Sequence, residues 1–198
     1  MLRIVLAAAL LFSAAAAAQP ESTPPLSSAR APWRVGIEVD PLPYFLRGYS
    51  VVAGVRPSGL PNWRFGLGAF GATMPAAMIS AENAGFGVQV PWSIAANAVY
   101  YFSPDRGGFY AGPIAMYQQT RYTHTSAPGA SVDAGRMNIG LEGGFQWLPF
   151  QQIGLYLNPW IGAGAGFDLG TPAVGANEYR AGTFTPMFGL HVGYELDL

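Results

Sequence analysis

Three observations predict an all-β fold, an eight-stranded antiparallel up-and-down transmembrane β-barrel. Apolar residues recur with period two along most of the chain, as in WRVGIEVD (33–40) and FGLHVGYELDL (188–198), the pattern of strands with one apolar face. The opposite face is mostly Gly with a few charges. The chain holds 26 Gly and only 11% charged residues, where soluble domains carry about 25%. Hydrophobic residues make up 51% of the sequence, yet beyond the N-terminal segment no apolar run approaches the ~20 residues of a membrane helix. A period of 3.6 competes nowhere, and glycine at this density disfavours helix.

The first 18 residues are set apart. MLR gives a short positive start, IVLAAALLF an apolar run, and SAAAAA a small-residue stretch before Gln19. That is the pattern of a secretory signal peptide, too short for a membrane anchor. Residues 19–32, QPESTPPLSSARAP, read as a flexible Pro/Ser-rich leader, and 33–198 as the barrel.

Eight strands follow in order. In 33–40, Trp33, Val35, Ile37 and Val39 oppose Arg34, Gly36, Glu38 and Asp40. In 48–56, Tyr49, Val51, Ala53 and Val55 oppose Gly48, Ser50, Gly54 and Arg56. WRFGLGAF (63–70) sets Trp63, Phe65 and Leu67 against Arg64, Gly66 and Gly68. WSIAANAVYYF (92–102) sets Trp92, Ile94, Tyr100 and Phe102 against Ser93 and Asn97. FYAGPIAMYQQTRY (109–122) is strand-like with both facings open. RMNIGLEGGFQWL (136–148) opposes Met137, Ile139, Leu141, Phe145 and Trp147 to Arg136, Asn138, Gly140, Glu142 and Gln146. Segments 153–169 and 183–198 complete the set.

The connectors alternate. RPSGLPNW, SPDRGG and LPFQQ are short and turn-rich, whereas MPAAMISAENAGFG, HTSAPGASVDAG and TPAVGANEY are longer. DPLPYFLRG, the first on the long-loop side, is short and apolar. Outer-membrane barrels have short periplasmic turns and longer external loops, so both termini are expected in the periplasm. A soluble lipid-carrying barrel would have a charge-rich exterior, and the Gly-rich second face is too sparse for that. It suits a narrow lumen, since eight strands leave an interior that side chains just fill. Trp33, Trp63, Trp92, Tyr100, Phe102 and Trp147 then stand near strand ends as interface girdles.

In this pattern residues 33–198 resemble the small eight-stranded outer-membrane proteins of double-membraned bacteria, and Tyr194-Glu-Leu-Asp-Leu198 resembles their C-terminal strand motif. The resemblance implies an outer-membrane location, outer-membrane lipid as surroundings, and recognition by the barrel-insertion machinery through Tyr194, Leu196 and Leu198. That family usually ends in Phe, and this chain ends in Leu198.

The inward polar residues Arg34, Glu38, Arg64, Arg136, Asn138, Glu142, His191 and Glu195 are expected to form a lumen network. Isolated ions are costly there, so they should pair. The network reads as a register-fixing plug or as an ion or proton path. His124-Thr-Ser126 is similar to the His-x-Ser pair of barrel-type lipid A deacylases. A His activating a Ser is sound acyl-transfer chemistry, with Glu142 or Asp133 to be weighed as its orienter. No Cys and only two His are present, so no metal site and no cofactor are expected. Net charge is -1 without a single Lys, which removes the electrostatic case for nucleic acid. The reading is therefore a monomeric, non-enzymatic outer-membrane protein with a filled lumen and external loops as contact surface. The alternatives are a lipid-directed acyl hydrolase using His124 and Ser126, and a narrow pore for small or apolar solutes.

Overall fold

The computed structural model describes residues 32–103 and 107–198; the expected signal peptide and nearly all of the leader lie outside them. The barrel strands are β1 (Arg34–Val39), β2 (Tyr49–Arg56), β3 (Trp63–Thr73), β4 (Phe86–Tyr101), β5 (Gly108–His124), β6 (Ser131–Phe150), β7 (Leu155–Asp168) and β10 (Phe184–Asp197). A five-residue helix, α1 (Pro41–Phe45), joins β1 to β2, and a two-residue ladder of β8 (Ala173–Val174) with β9 (Asn177–Glu178) lies in the last loop. Each barrel strand pairs antiparallel with its sequence neighbour, and β10 returns to β1, closing the ring. Leu198 N donates to Trp33 O at 2.7 Å. The C-terminal strand keeps its period to the last residue because the first strand lies beside it.

The register fixes the geometry. A walk across the sheet from Ile37 steps through Ala53, Leu67, Ala96, Ala115, Ile139 and Ala165 and reaches β10 at Phe184. Ile37 itself pairs with Tyr194, so one circuit climbs the ten residues between Phe184 and Tyr194. With ~3.3 Å per residue and ~4.8 Å between strands, that stagger tilts eight strands by about 40°.

The faces are inverted relative to a soluble barrel. Leu141 is 67% exposed and its neighbour Glu142 only 6%. Leu67, Ile94, Ile139, Ile161 and Phe188 face out, while Arg56, Arg64, Arg136 and Glu195 are buried inside. The facing of β5 is now defined: Tyr110, Ile114, Met116, Thr120 and Tyr122 point inward.

Two boundaries differ from expectation. Half of HTSAPGASVDAG is strand, since β5 runs to His124 and β6 starts at Ser131. Likewise β4 begins at Phe86 rather than Trp92. A register shift between Gln89 and Trp92 breaks the alternation there, which hides the upper part of the strand from a period-two reading. These extensions enclose an apolar cluster at the loop-side mouth: Phe86, Val88, Tyr122, Ala134 and Val174, with Met74, Ile79 and Tyr179 against it. Burial there pushes the Tyr122 phenol up to about 12.

Candidate functional site

The inward side chains form three layers. At the turn end, Arg34 Nε lies 3.3 Å from Asp197 and 4.0 Å from Glu195. Arg56 approaches Glu195 at 3.8 Å, donates to Gln146 Oε1 at 3.2 Å, and stacks 4.0 Å above the Tyr101 ring. In the middle, Glu38 is the hub. Its Oε1 faces Arg64 Nη2 at 2.9 Å and accepts from Tyr156 Oη at 2.7 Å and Asn158 Nδ2 at 3.4 Å. Its Oε2 lies 2.7 Å from His191 Nδ1. The Trp160 indole, a donor only, meets His191 Nε2 at 3.2 Å. Nε2 is therefore the acceptor and Nδ1 the donor to Glu38, so the network assigns the tautomer. Beside this layer Asn97 donates to Glu142. In the upper layer Arg136 pairs with Asp168 and donates to Asn138 Oδ1 at 3.3 Å, and Thr185 donates to Asn138 Oδ1 at 3.1 Å.

Glycines make space for these groups on the adjacent strand. A Cβ at Gly54 would run into the Arg64 guanidinium, one at Gly66 into Asn97, at Gly166 into Arg136, and at Gly193 into Tyr156. These four inward side chains each lie across a glycine of the adjacent strand, which helps so narrow a lumen hold arginines and tyrosines.

The outward aromatics form two levels. Trp63, Tyr100 and Phe102 pack edge to face in sequence, with centroids 5.4 and 5.9 Å apart at the turn end, where Trp33 and Trp147 are also exposed. Trp92 packs on Tyr117 at 5.4 Å toward the loop end. Tyr194, Leu196 and Leu198 face outward on the closing strand.

No family model matches this sequence, and no curated protein matches it. Similar solved structures include the two that follow. Neisserial surface protein A shares 12% identity with a TM-score of 0.46, over 84% of this chain and 97% of that one. A major outer membrane protein from Thermus thermophilus shares 13% identity with a TM-score of 0.46, over 85% of this chain and 100% of that one.

His124 and Ser126 do meet: Nδ1 and Oγ are 2.7 Å apart. The Ser126 backbone N–H also donates to Nδ1 at 3.2 Å, and Asn177 donates to Ser126 Oγ at 2.8 Å. Neither carboxylate weighed as an orienter serves. Asp133 is held by Arg121 through two bonds of 2.8 and 2.9 Å, which keep its carboxyl below the ordinary range. Glu142 pairs across from Gly112, twelve residues down β5 from His124, roughly 40 Å away. The pair closes a turn and ties it to the β9 ladder. Among the described residues no cluster of three metal-ligating side chains exists.

The residues missing from the sequence-level network are Arg56, Tyr101, Tyr110, Gln146, Tyr156, Asn158 and Trp160. Arg56 and Gln146 stand on the polar face in the alternation and could have been included. The tyrosines and Trp160 read as apolar, and only the strand facing shows that Tyr110 donates to Asn158, Tyr156 to Glu38 and Trp160 to His191, while Tyr101 lies under Arg56.

Proposed function

We propose that this chain is an integral outer-membrane β-barrel with a stoppered lumen, a structural or interaction protein whose loop-side rim is its contact surface. The observation that carries the reading is the inversion of faces around a closed ladder. Open edges cannot be hydrogen-bonded by lipid, so a spanning sheet closes. An exterior of exposed Leu, Ile and Phe over buried Arg and Glu is stable only with lipid outside. The ion-paired turn-end and middle layers support a filled rather than a conducting lumen, since Glu38, Arg56, Tyr101, Tyr156 and Asn158 are all at most 2% exposed. In this reading both termini are periplasmic, the protein is monomeric, and the insertion machinery reads the closing strand at Tyr194, Leu196 and Leu198. The test is fractionation of the expressed full chain, with gels run with and without boiling. A heat-shifted band in the outer membrane is expected. A soluble periplasmic protein without a shift would overturn it.

The 2.7 Å contact of His124 with Ser126 supports a second reading, acyl hydrolysis of a lipid. Mass spectrometry of lipid A from cells carrying the native chain or Ser126→Ala decides it: identical profiles eliminate hydrolysis.

A further inference from the structure

The top of β5 leaves a polar groove on the outer flank of the wall. Arg121, Thr123, His124 and Thr125 line it, together with Ala76 and the turn that runs to Ser131. Gly85 and Gly87 line it too and contribute no side chain. Its volume is about 650 Å³, within the range of small-molecule sites. With about 40° of tilt each strand residue rises ~2.5 Å. Arg121 therefore stands roughly 10 Å, and Thr123 roughly 15 Å, above the girdle of Trp92 and Tyr117. The groove opens above the hydrocarbon, among headgroups and water.

His124 is its fixed point. The ring stands edge-on to Phe86, with centroids 4.6 Å apart. The Ser126 backbone N–H, which can only donate, reaches Nδ1 at 3.2 Å, and the Ser126 hydroxyl lies 2.7 Å from the same atom. Asn177 steadies that hydroxyl from the last loop at 2.8 Å. Nδ1 is therefore the acceptor, and the proton sits on Nε2. Among the described residues no group accepts it, and none pairs with the Thr125 hydroxyl. A Cβ on Gly85 would come 2.8 Å from Nε2 and 3.0 Å from Thr125 Oγ1. The imidazole N–H and this hydroxyl thus converge on one point over a bare glycine.

Charge and polarity select the ligand. Arg121 gives Nε and Nη2 to the two oxygens of Asp133 and keeps Nη1. That pair cancels, and His124 is neutral in this tautomer, so the groove has no net charge with which to hold a phosphate. An acyl chain would leave the imidazole, guanidinium and hydroxyls unpaired. A sugar meets both demands: its hydroxyls give and accept, and its C–H faces pack on Ala76, Ala127 and Pro128.

We propose that this groove is a saccharide-binding site anchored by His124 Nε2, Thr125 Oγ1 and Arg121 Nη1. It gives the loop-side contact surface a ligand class, and its height rests on the membrane-spanning reading above. The sugar comes either from the headgroup of an outer-leaflet glycolipid or from a glycan outside the cell.

The chain has two histidines, which makes the test direct. The full chain, isotope-labelled only at histidine nitrogens, is followed by NMR in detergent micelles. His124→Asn assigns the signals, and His191 in the lumen is the internal control. The free protein is expected to carry the His124 proton on Nε2; a proton on Nδ1 would overturn the site. Chitobiose, lactose and maltotriose are then added to ~10 mM, tenfold above a weak ~1 mM dissociation constant. The oligosaccharide released from the host's outer-leaflet glycolipid is added separately. At least one is expected to shift His124 Nε2 and leave His191 unmoved. A response to the released oligosaccharide alone identifies the membrane's own lipid as the source, and a response to the others an external glycan. Thr125→Val should weaken binding about 5-fold, and Gly85→Ala should abolish it by filling the point of convergence. Gly85 has φ +90°, so should Gly85→Ala disturb the turn, Thr125→Val carries the test. No shift with any of these saccharides, or undiminished affinity in Thr125→Val, would overturn the site. Binding by a chain that shows no heat-shifted band would keep the site and remove the membrane reading.

Discussion

The two sides of this barrel wall are built on different principles. On one side β4, β5 and β6 run for 16, 17 and 20 residues, paired almost throughout and rising past the membrane to wrap an apolar cluster. On the other, β1 and β2 have only 6 and 8 residues, below the ~9–11 a spanning strand needs. The tall side is held by backbone ladder. The low side is held by side chains: Glu38 ties β1 to Arg64 on β3 and Tyr156 on β7, beyond its immediate neighbours, and to His191 on the adjacent β10. A short strand survives where a buried ion replaces the missing ladder.

The comparison breaks most completely if the low side loses its remaining ladder. Deleting Tyr194–Leu198 removes the β10 partners of Arg34, Val35, Gly36 and Ile37 and should abolish the heat-shifted band altogether. Next, Glu38→Ala leaves Arg64 buried and unpaired, which should cost about 3–5 kcal/mol in urea unfolding from vesicles. A cost below about 1 kcal/mol would mean that the side chains do not hold the low wall. Hydrogen exchange then sharpens the contrast within one strand. The β1–β10 pairing ends at Val39 with Val192, so amides of Phe188 and Leu190 should exchange about 10-fold or more faster than those of Val192 and Tyr194, a difference of about 1.4 kcal/mol. On the tall side, Val174→Ala trims the mouth cluster outside the membrane and should cost about 1–2 kcal/mol. It should speed proteolysis of the last loop while the gel shift persists. Smallest of all, Asp133→Asn should leave the unfolding midpoint unchanged at neutral pH. The Asp133 carboxyl is depressed by Arg121, so any stabilisation is present above its unfolded titration and fades as pH falls through the folded one. Both partners are exposed, however, at 48% and 41%, and solvent screens them.

The tall side was the more legible in outline and the less legible in detail. RMNIGLEGGFQWL announces β6 by strict alternation, because every lipid-facing position needs an apolar side chain and every lumen position a small or charged one. The upper ends of β4 and β6 were hidden, since above the membrane both faces relax: Gln89 and Asp133 point out to water while Val88 and Ala134 point into a packed mouth. In β5, Tyr117 and Tyr122 lie on opposite faces, so aromatic identity alone cannot assign the facing. For the lumen, the charged members stood out because charge is rare in this chain, whereas Tyr156 and Trp160 did not, since a phenol or indole at a lipid interface looks the same in sequence. The point where β1 stops pairing with β10, at Val39 and Val192, was illegible for another reason. Pro41, Pro43 and Pro186 are ordinary in isolation and acquire meaning only when register sets them opposite one another, across about 140 residues of chain.

The glycines beneath the lumen side chains bear on how such a sequence can change over generations. Arg64 with Gly54, Asn97 with Gly66, Arg136 with Gly166 and Tyr156 with Gly193 are shape pairs split between adjacent strands. A larger residue at the glycine member displaces its partner, and trimming the partner opens a void. Tolerated drift inside the barrel is therefore expected to come in coordinated double steps. Lipid-facing positions, each meeting only fluid chains, can exchange one apolar residue for another singly. Descendants of this chain should diverge fastest on the outside and covary on the inside.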